Sequence, residues 1–188
     1  MDVARWGLGR DLPKSAVSTG GKFIYQDDQE TPNTQIATFD YGDAELVCEV
    51  RGLNTGGDAG IHAGGTNFIG NIWLGSKGYL ELDRQGFQIY LGDKREPGPS
   101  SNDSDYADTK SHMENFLQAV KSRRFKDLNC DVADGATSAV LVHMANTSYR
   151  LGRKVTLDPA TEKYVGDAEA NAMLSRPSYR EPYNPAKV

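Results

Sequence analysis

The sequence predicts an α+β domain: an open, antiparallel-rich β-sheet with helices on one face. Three observations carry this. Apolar residues alternate with a period of two in short runs between residues 14 and 91. From residue 111 onward they recur at helical spacing. Glycine-bearing links of hairpin length separate the early runs. Strands first and helices afterwards is the order of an α+β domain. At 188 residues the chain is one domain long, and it can bury roughly 70% of its extended surface without a metal or disulfide staple.

The elements follow in order. A helix-like stretch precedes Gly7, and residues 14–19 read as an edge strand. In 34–41, Ala37, Phe39 and Tyr41 share one face; Tyr41-Gly42-Asp43 links them to 44–52, where Leu46, Cys48 and Val50 alternate with Glu45, Glu49 and Arg51. Residues 66–74, 79–83 and 87–91 form a meander through two tight turns. In it Ile69, Trp73, Tyr79 and Tyr90 are expected on one face, opposite Phe68, Ile72, Leu80, Leu82, Phe87 and Ile89. The glycine-rich stretch 53–65 and the Pro/Gly/Ser-rich stretch 92–105 are expected to be mobile surface loops. Ser111 to Glu114 reads as a capping box opening a helix whose apolar stripe is Met113, Phe116, Leu117 and Val120. A second helix is expected to open at Asp134 and to end with Arg150 in its last turn and Gly152 just beyond, with Ala136, Ala139, Val140, His143, Met144, Thr147 and Leu151 inward, so that His143 is buried. A short strand at 154–157, a short helix from Asp167 to Leu174 and an extended, proline-bearing tail complete the chain. Residues 1–188 are thus expected to form a single domain.

Composition excludes several functions. A net charge of −5 and a pI near 5.2 do not suit a phosphate backbone, so no nucleic-acid partner is expected. Cys48 and Cys130 match no metal-ligand spacing and no disulfide framework. No apolar run reaches membrane-spanning length, and the first 20 residues carry charges where a signal peptide needs an apolar stretch. No membrane partner and a cytoplasmic location are expected.

Little in the sequence names a reaction. Gly7-Leu8-Gly9-Arg10-Asp11-Leu12 starts like a dinucleotide fingerprint, but it ends in Leu and follows a helix rather than a strand. His62, His112 and His143 form no recognisable nucleophile–base or metal pattern by spacing. The loop Gln26–Asn33 concentrates carboxylates, amides and a hydroxyl, groups that suit polyol hydroxyls or a divalent cation and equally a solvated turn. A metal-dependent hydrolase using that loop lacks a histidine at ligand spacing.

Several segments resemble one family. The opening Met1-Asp2-Val3-Ala4-Arg5-Trp6-Gly7-Leu8-Gly9, then Gly20-Gly21 and the run Asp28 to Gln35, are similar to segments of Gfo/Idh/MocA oxidoreductases, relatives of glucose–fructose oxidoreductase and inositol dehydrogenase. So are Gly75 to Leu80, His112 to Arg123, Tyr149 to Arg153, Asp167 to Asn171 and Arg180 to Tyr183. The resemblance covers the family's C-terminal half. It implies that the Rossmann domain that binds NAD(P), the catalytic Lys and the catalytic His would all lie ahead of Met1. What it implies here is a substrate-pocket and oligomerisation domain of a sugar or polyol oxidoreductase, inactive alone and binding no cofactor by itself. It also implies pairing of subunits through the open sheet face. Asp2, Arg5 and Trp6 would lie nearest the catalytic His, and Asp28 and Thr31 would rim the sugar pocket; Trp6 is expected in the core rather than as a sugar platform. The alternative is a stand-alone, non-catalytic binding or assembly module.

Overall fold

The computed structural model describes residues 1–52, 69–83, 85–102 and 109–182. The chain is α+β with antiparallel sheets. The order is α1 (Asp2–Leu8), β1 (Ser15–Gly21), β2 (Thr34–Asp40), β3 (Glu45–Arg51), β4 (Asn71–Gly75), β5 (Gly78–Leu82), β6 (Phe87–Leu91) and β7 (Glu96–Ser101). Then come α2 (Thr109–Ser122), a 3-10 turn (Phe125–Asp127), α3 (Val132–Leu151), β8 (Val155–Asp158), β9 (Lys163–Tyr164) and α4 (Ala168–Ala172). The strands divide into two sheets, β3-β2-β1-β8-β9 and β4-β5-β6-β7. Two compact units follow this division: Met1–Asp11 with Leu53–Ala139, and Leu12–Gly52 with Val140–Val188. Among the described residues no helix is long and apolar enough to cross a membrane.

In the five-stranded unit, β1 is central rather than an edge strand, because β8 pairs along its outer side (Ser15 opposite Thr156, Ala16 opposite Val155). Cross-strand neighbours share a face, so Ala16, Phe39 and Leu46 form one buried row and Ser18, Ala37 and Cys48 the next. Phe39 is 0% exposed. The same unit buries Leu141, Met144, Ala145, Thr147 and Ser148 of α3. Ser148 Oγ accepts the Ser18 N–H at 2.9 Å and donates to the Arg153 carbonyl at 2.7 Å, while Gln35 Nε2 donates to the Ala145 carbonyl. The buried set is therefore 141, 144, 145, 147 and 148, which keeps Met144 and Thr147 from the expected stripe and is otherwise turned about one residue round the helix. His143 falls outside it and is exposed, which corrects the expectation of a buried histidine. Asp131 Oδ1 accepts the N–H groups of Ala133 and Asp134, so α3 opens before Asp134.

In the four-stranded unit, β4 and β5 are joined by the two-residue turn Ser76-Lys77, with Gly75 opposite Gly78. Gly78 takes φ 147, and a Cβ there would collide with the Tyr90 carbonyl. This register sets Trp73 opposite Leu80, which stands opposite Ile89. Trp73 is thus on the face of Leu80, and Ile72 and Leu74 are on the face of Tyr79 and Tyr90, the reverse of the expected assignment. A one-residue slip exchanges faces. Tyr79 and Tyr90 stack with centroids 4.8 Å apart. Trp73 Nε1 donates to the Ala4 carbonyl of α1, and its ring lies over Gly7, where a Cβ would collide with it.

Residues 96–101, expected within a loop, form β7. It is the last strand of its sheet, where Pro97 and Pro99 are tolerated because an outer edge needs no N–H donor. The expected 53–65 loop and residues 103–105 lie outside the described residues. Helix α2 begins at Thr109, so Ser111 stands inside the first turn rather than at the cap. Its stripe of Met113, Phe116, Leu117 and Val120 is 42–53% exposed, not buried.

Candidate functional site

The residues singled out from the sequence fall into two groups, one in each unit. Asp2, Arg5 and Trp6 stand on α1 in the first. Asp28 and Thr31 stand on the β1–β2 connection in the second.

On α1, Arg5 is buried and fully engaged. Its Nε donates to Ser138 Oγ at 3.1 Å and its Nη1 to the Arg10 carbonyl at 3.4 Å. Asp2, Asp11 and Asp134 stand 3.6, 3.8 and 3.9 Å from its guanidinium, and Ser138 Oγ donates to Asp2. Three carboxylates and a hydroxyl compensate a charge that burial alone would make costly. The arrangement ties α1 to the first turns of α3. Trp6 is 76% exposed, which corrects its expected place in the core and leaves an indole face open to solvent. Gly9, at φ 62, closes α1 with its N–H on the Trp6 carbonyl, so Gly7-Leu8-Gly9 ends a helix instead of opening one on a phosphate.

The connection between β1 and β2 is held by Asn33, Asp27 and Gln29 of the loop the sequence singled out, together with Lys22 and Phe23, which it did not. Asn33, 4% exposed, donates from Nδ2 to the Phe23 carbonyl at 2.9 Å and accepts the Phe23 N–H at 3.1 Å. Lys22 Nζ binds the Asp27 carboxylate at 2.6 Å and the carbonyls of Asp27 and Gln29. That ammonium, first of all, holds the Asp27 carboxyl below its ordinary range. Gln29 Nε2 donates to Thr31 Oγ1 at 2.9 Å and to the Thr31 carbonyl. Asp28 is exposed, with no side-chain partner among the described residues. The loop thus holds one open carboxylate, Asp28, beside a hydroxyl whose lone pair is occupied by Gln29. The available signal for Asn33 was its place between a polar loop and an alternating strand, but nothing in spacing distinguishes a clamp from a solvated turn residue.

His112 and His143 are both exposed, and His62 lies outside the described residues. Among the described residues no three His, Cys, Asp or Glu side chains are grouped so as to hold a metal ion.

Residues 83–185 match the Gfo/Idh/MocA oxidoreductase family, C-terminal alpha/beta domain. No curated protein sequence matches the chain. Solved structures that resemble it include yvaA of Bacillus subtilis, assigned as an oxidoreductase (TM-score 0.56, 13% identity, covering 84% of this chain and 48% of that one). Another, from Klebsiella pneumoniae and also assigned as an oxidoreductase, gives 0.55 at 16% identity and covers 92% and 50%. A third is the WlbA dehydrogenase of Bordetella pertussis in complex with NADH and UDP-GlcNAcA (0.50, 14%, covering 84% and 42%). The chain therefore spans about half the length of the structures it matches. At these identities the likeness is one of fold.

Proposed function

The chain belongs to the Gfo/Idh/MocA oxidoreductase family, through its C-terminal alpha/beta domain, and on that premise we propose that it is the substrate-side and assembly half of an NAD(P)-dependent sugar or polyol oxidoreductase. The observation that carries this reading is one of proportion: most of this chain superposes on only half of each longer oxidoreductase, and one of those holds NADH with a nucleotide sugar. In such a reaction the nicotinamide carries the hydride, while protein groups orient the substrate and move its hydroxyl proton. This chain's share is orientation. Exposed Trp6 offers a flat apolar face for a sugar ring, with Asp2 on the same short helix and Arg5 anchoring that helix. Asp28 offers a carboxylate to substrate hydroxyls on a loop held by Asn33, with Thr31 beside it. The cofactor and the hydride-transfer residues are supplied by the other half, so the chain alone is inactive, and it works in the cytoplasm.

The open face of the five-stranded sheet supports self-association. Val17, Ile36 and Val47 lie on it at 41%, 44% and 62% exposure, and a two-fold pairing would cover that surface. A stand-alone assembly module is the second reading, favoured by the open stripe of α2. Calorimetry with NADH and with NADPH separates the cofactor-free half from a self-sufficient enzyme: flat titrations are expected, and micromolar binding of either would overturn the reading. Light scattering at micromolar concentration should report a dimer or larger; a monomer would remove the assembly role.

A further inference from the structure

The β1–β2 connection carries an apolar tip that orientation of a substrate does not use. Ile24 is 91% exposed and takes φ 75. That is left-handed backbone, which glycine and asparagine enter readily and a β-branched residue does not. The Tyr25 N–H donates to the Phe23 carbonyl at 2.9 Å, so Ile24 is the apex of a γ-turn of the strained hand. The Ile24 side chain gains nothing from the fold in return, because it stands in water. The surroundings nevertheless hold the turn. Buried Asn33 binds both the N–H and the carbonyl of Phe23. The Phe23 ring lies over Gly21, where a Cβ would collide with it, and the Tyr25 hydroxyl stands at Gly52, just past β3. Strain persists only where neighbours impose it, and it gathers at positions with a task.

Register shows which surface the tip belongs to. Val17, Thr19 and Gly21 alternate onto the open face of the five-stranded sheet, and Gly21 is diagonal to Ile36. The Phe23 ring over Gly21 therefore extends the apolar surface of Val17, Val47 and Ile36, and Ile24 follows it directly. Charge points to what covers this surface. The chain carries −5, so two copies repel at long range. Between Val17 and Gly21, however, the charged groups on the open face of β1, β2 and β3 are Glu49 and Arg51, which pair with each other, and the rest are aliphatics and threonines. A two-fold pairing lays a patch on itself, which a patch without net charge permits. Asp28, an open carboxylate on the same loop, opposes an anionic lipid surface as the alternative.

We propose that Ile24 is a docking knob through which the open face engages a second copy of this chain. The proposal rests on the self-association reading above and names the residue that carries it. The test compares the whole chain with Ile24→Gly and Ile24→Asn by analytical ultracentrifugation over a dilution series, with thermal melts of each at the highest dilution. Both replacements accept left-handed backbone and remove the apolar branches. Each is expected to weaken the dimer by about tenfold or more, the scale of one buried aliphatic side chain. Neither should melt below the parent once all are monomers. A dimeric parent whose dissociation constant both variants leave unchanged overturns the knob and leaves the assembly reading standing. A parent that stays monomeric overturns both. Variant monomers that melt well below the parent monomer would show Ile24 holding its own loop instead of a partner. Sedimentation of the parent, but not of Ile24→Asn, with phosphatidylcholine vesicles, while the dimer is unchanged, would assign the tip to lipid and overturn the proposal.

Discussion

In the five-stranded unit Phe39, Leu141, Met144 and Val155 are at most 1% exposed, whereas in the four-stranded unit only Arg5 and Ala119 are buried among the described residues. The ladders are equally regular: β5 and β6 pair over five residues each, β1 and β2 over seven. What differs is cover. The first sheet has the second half of α3 across one face, fastened by Ser148 to Ser18 and by Gln35 to Ala145. In the second, α1 meets β4 through Trp73, while α2 leaves its own apolar stripe open. Alternation builds a strand in both cases, but stability comes from area removed from water, and that area is concentrated in one unit.

The comparison predicts its largest effect from paired truncations. Phe39→Ala opens a cavity in a fully buried row and should cost about 3–5 kcal/mol. Leu74→Ala, at a position 83% exposed, should stay within about 0.5 kcal/mol. Urea unfolding followed by circular dichroism measures both. Similar losses for the two would show that the four-stranded unit has a core in solution that the contrast denies it.

A smaller effect separates two neighbours on α3. Ser148→Ala leaves the Ser18 N–H and the Arg153 carbonyl without their partner in a buried site, and should cost about 1–3 kcal/mol. His143→Ala, on the exposed side of the same helix, should change stability by less than about 0.5 kcal/mol. A His143 loss as large as that of Ser148 would restore the buried-histidine reading that the structure corrects.

This pair also shows how far the sequence reaches. The periods of β2, β3 and α3 were legible because a half-buried element writes its face into the spacing of apolar residues. The phase of α3 was legible in part: Met144 and Thr147 lie inside as their spacing implies, but so does Ser148, small and polar, because its hydrogen bonds to Ser18 and Arg153 satisfy it, while the spacing that placed His143 inward failed. The faces of the meander failed for a different reason. Whether Trp73 stands with Leu80 or with Tyr79 depends on whether the turn holds an even or an odd number of residues, and composition does not separate a two-residue turn from a three-residue one. Strand β7 was hidden by Pro97 and Pro99, which mark loops everywhere except at an edge. For the candidate site, the Asp28–Thr31 loop was legible as a polar cluster. Its clamp, Asn33, was not, because the bonds from Asn33 to Phe23 span ten residues. The exposure of Trp6 was equally hidden, since an indole on a short helix fits core and surface alike.

The smallest effect concerns the end of the five-stranded unit, where α4 is capped. Asp167 Oδ1 accepts the Ala170 N–H at 3.0 Å, and the carboxylate also binds Arg153 at 3.0 Å. The cap bond first, and then the guanidinium, hold the Asp167 carboxyl below its ordinary range. A carboxyl depressed in the folded state binds its proton more readily once unfolded. Its contribution is therefore complete above the unfolded value of about 3.9, and it is lost as the pH falls through the lower, folded value. Asp167→Asn keeps an oxygen for the Ala170 N–H but removes the charge facing Arg153. Thermal melts should show the variant less stable than the parent at pH 7, with the gap closing progressively below about pH 4. Glu169 also binds Arg153, at 2.9 Å, and remains in the variant, so the guanidinium keeps one carboxylate and the gap at pH 7 should be modest. A gap that persists unchanged at pH 2 would show that Asp167 acts through the shape of the cap rather than its charge.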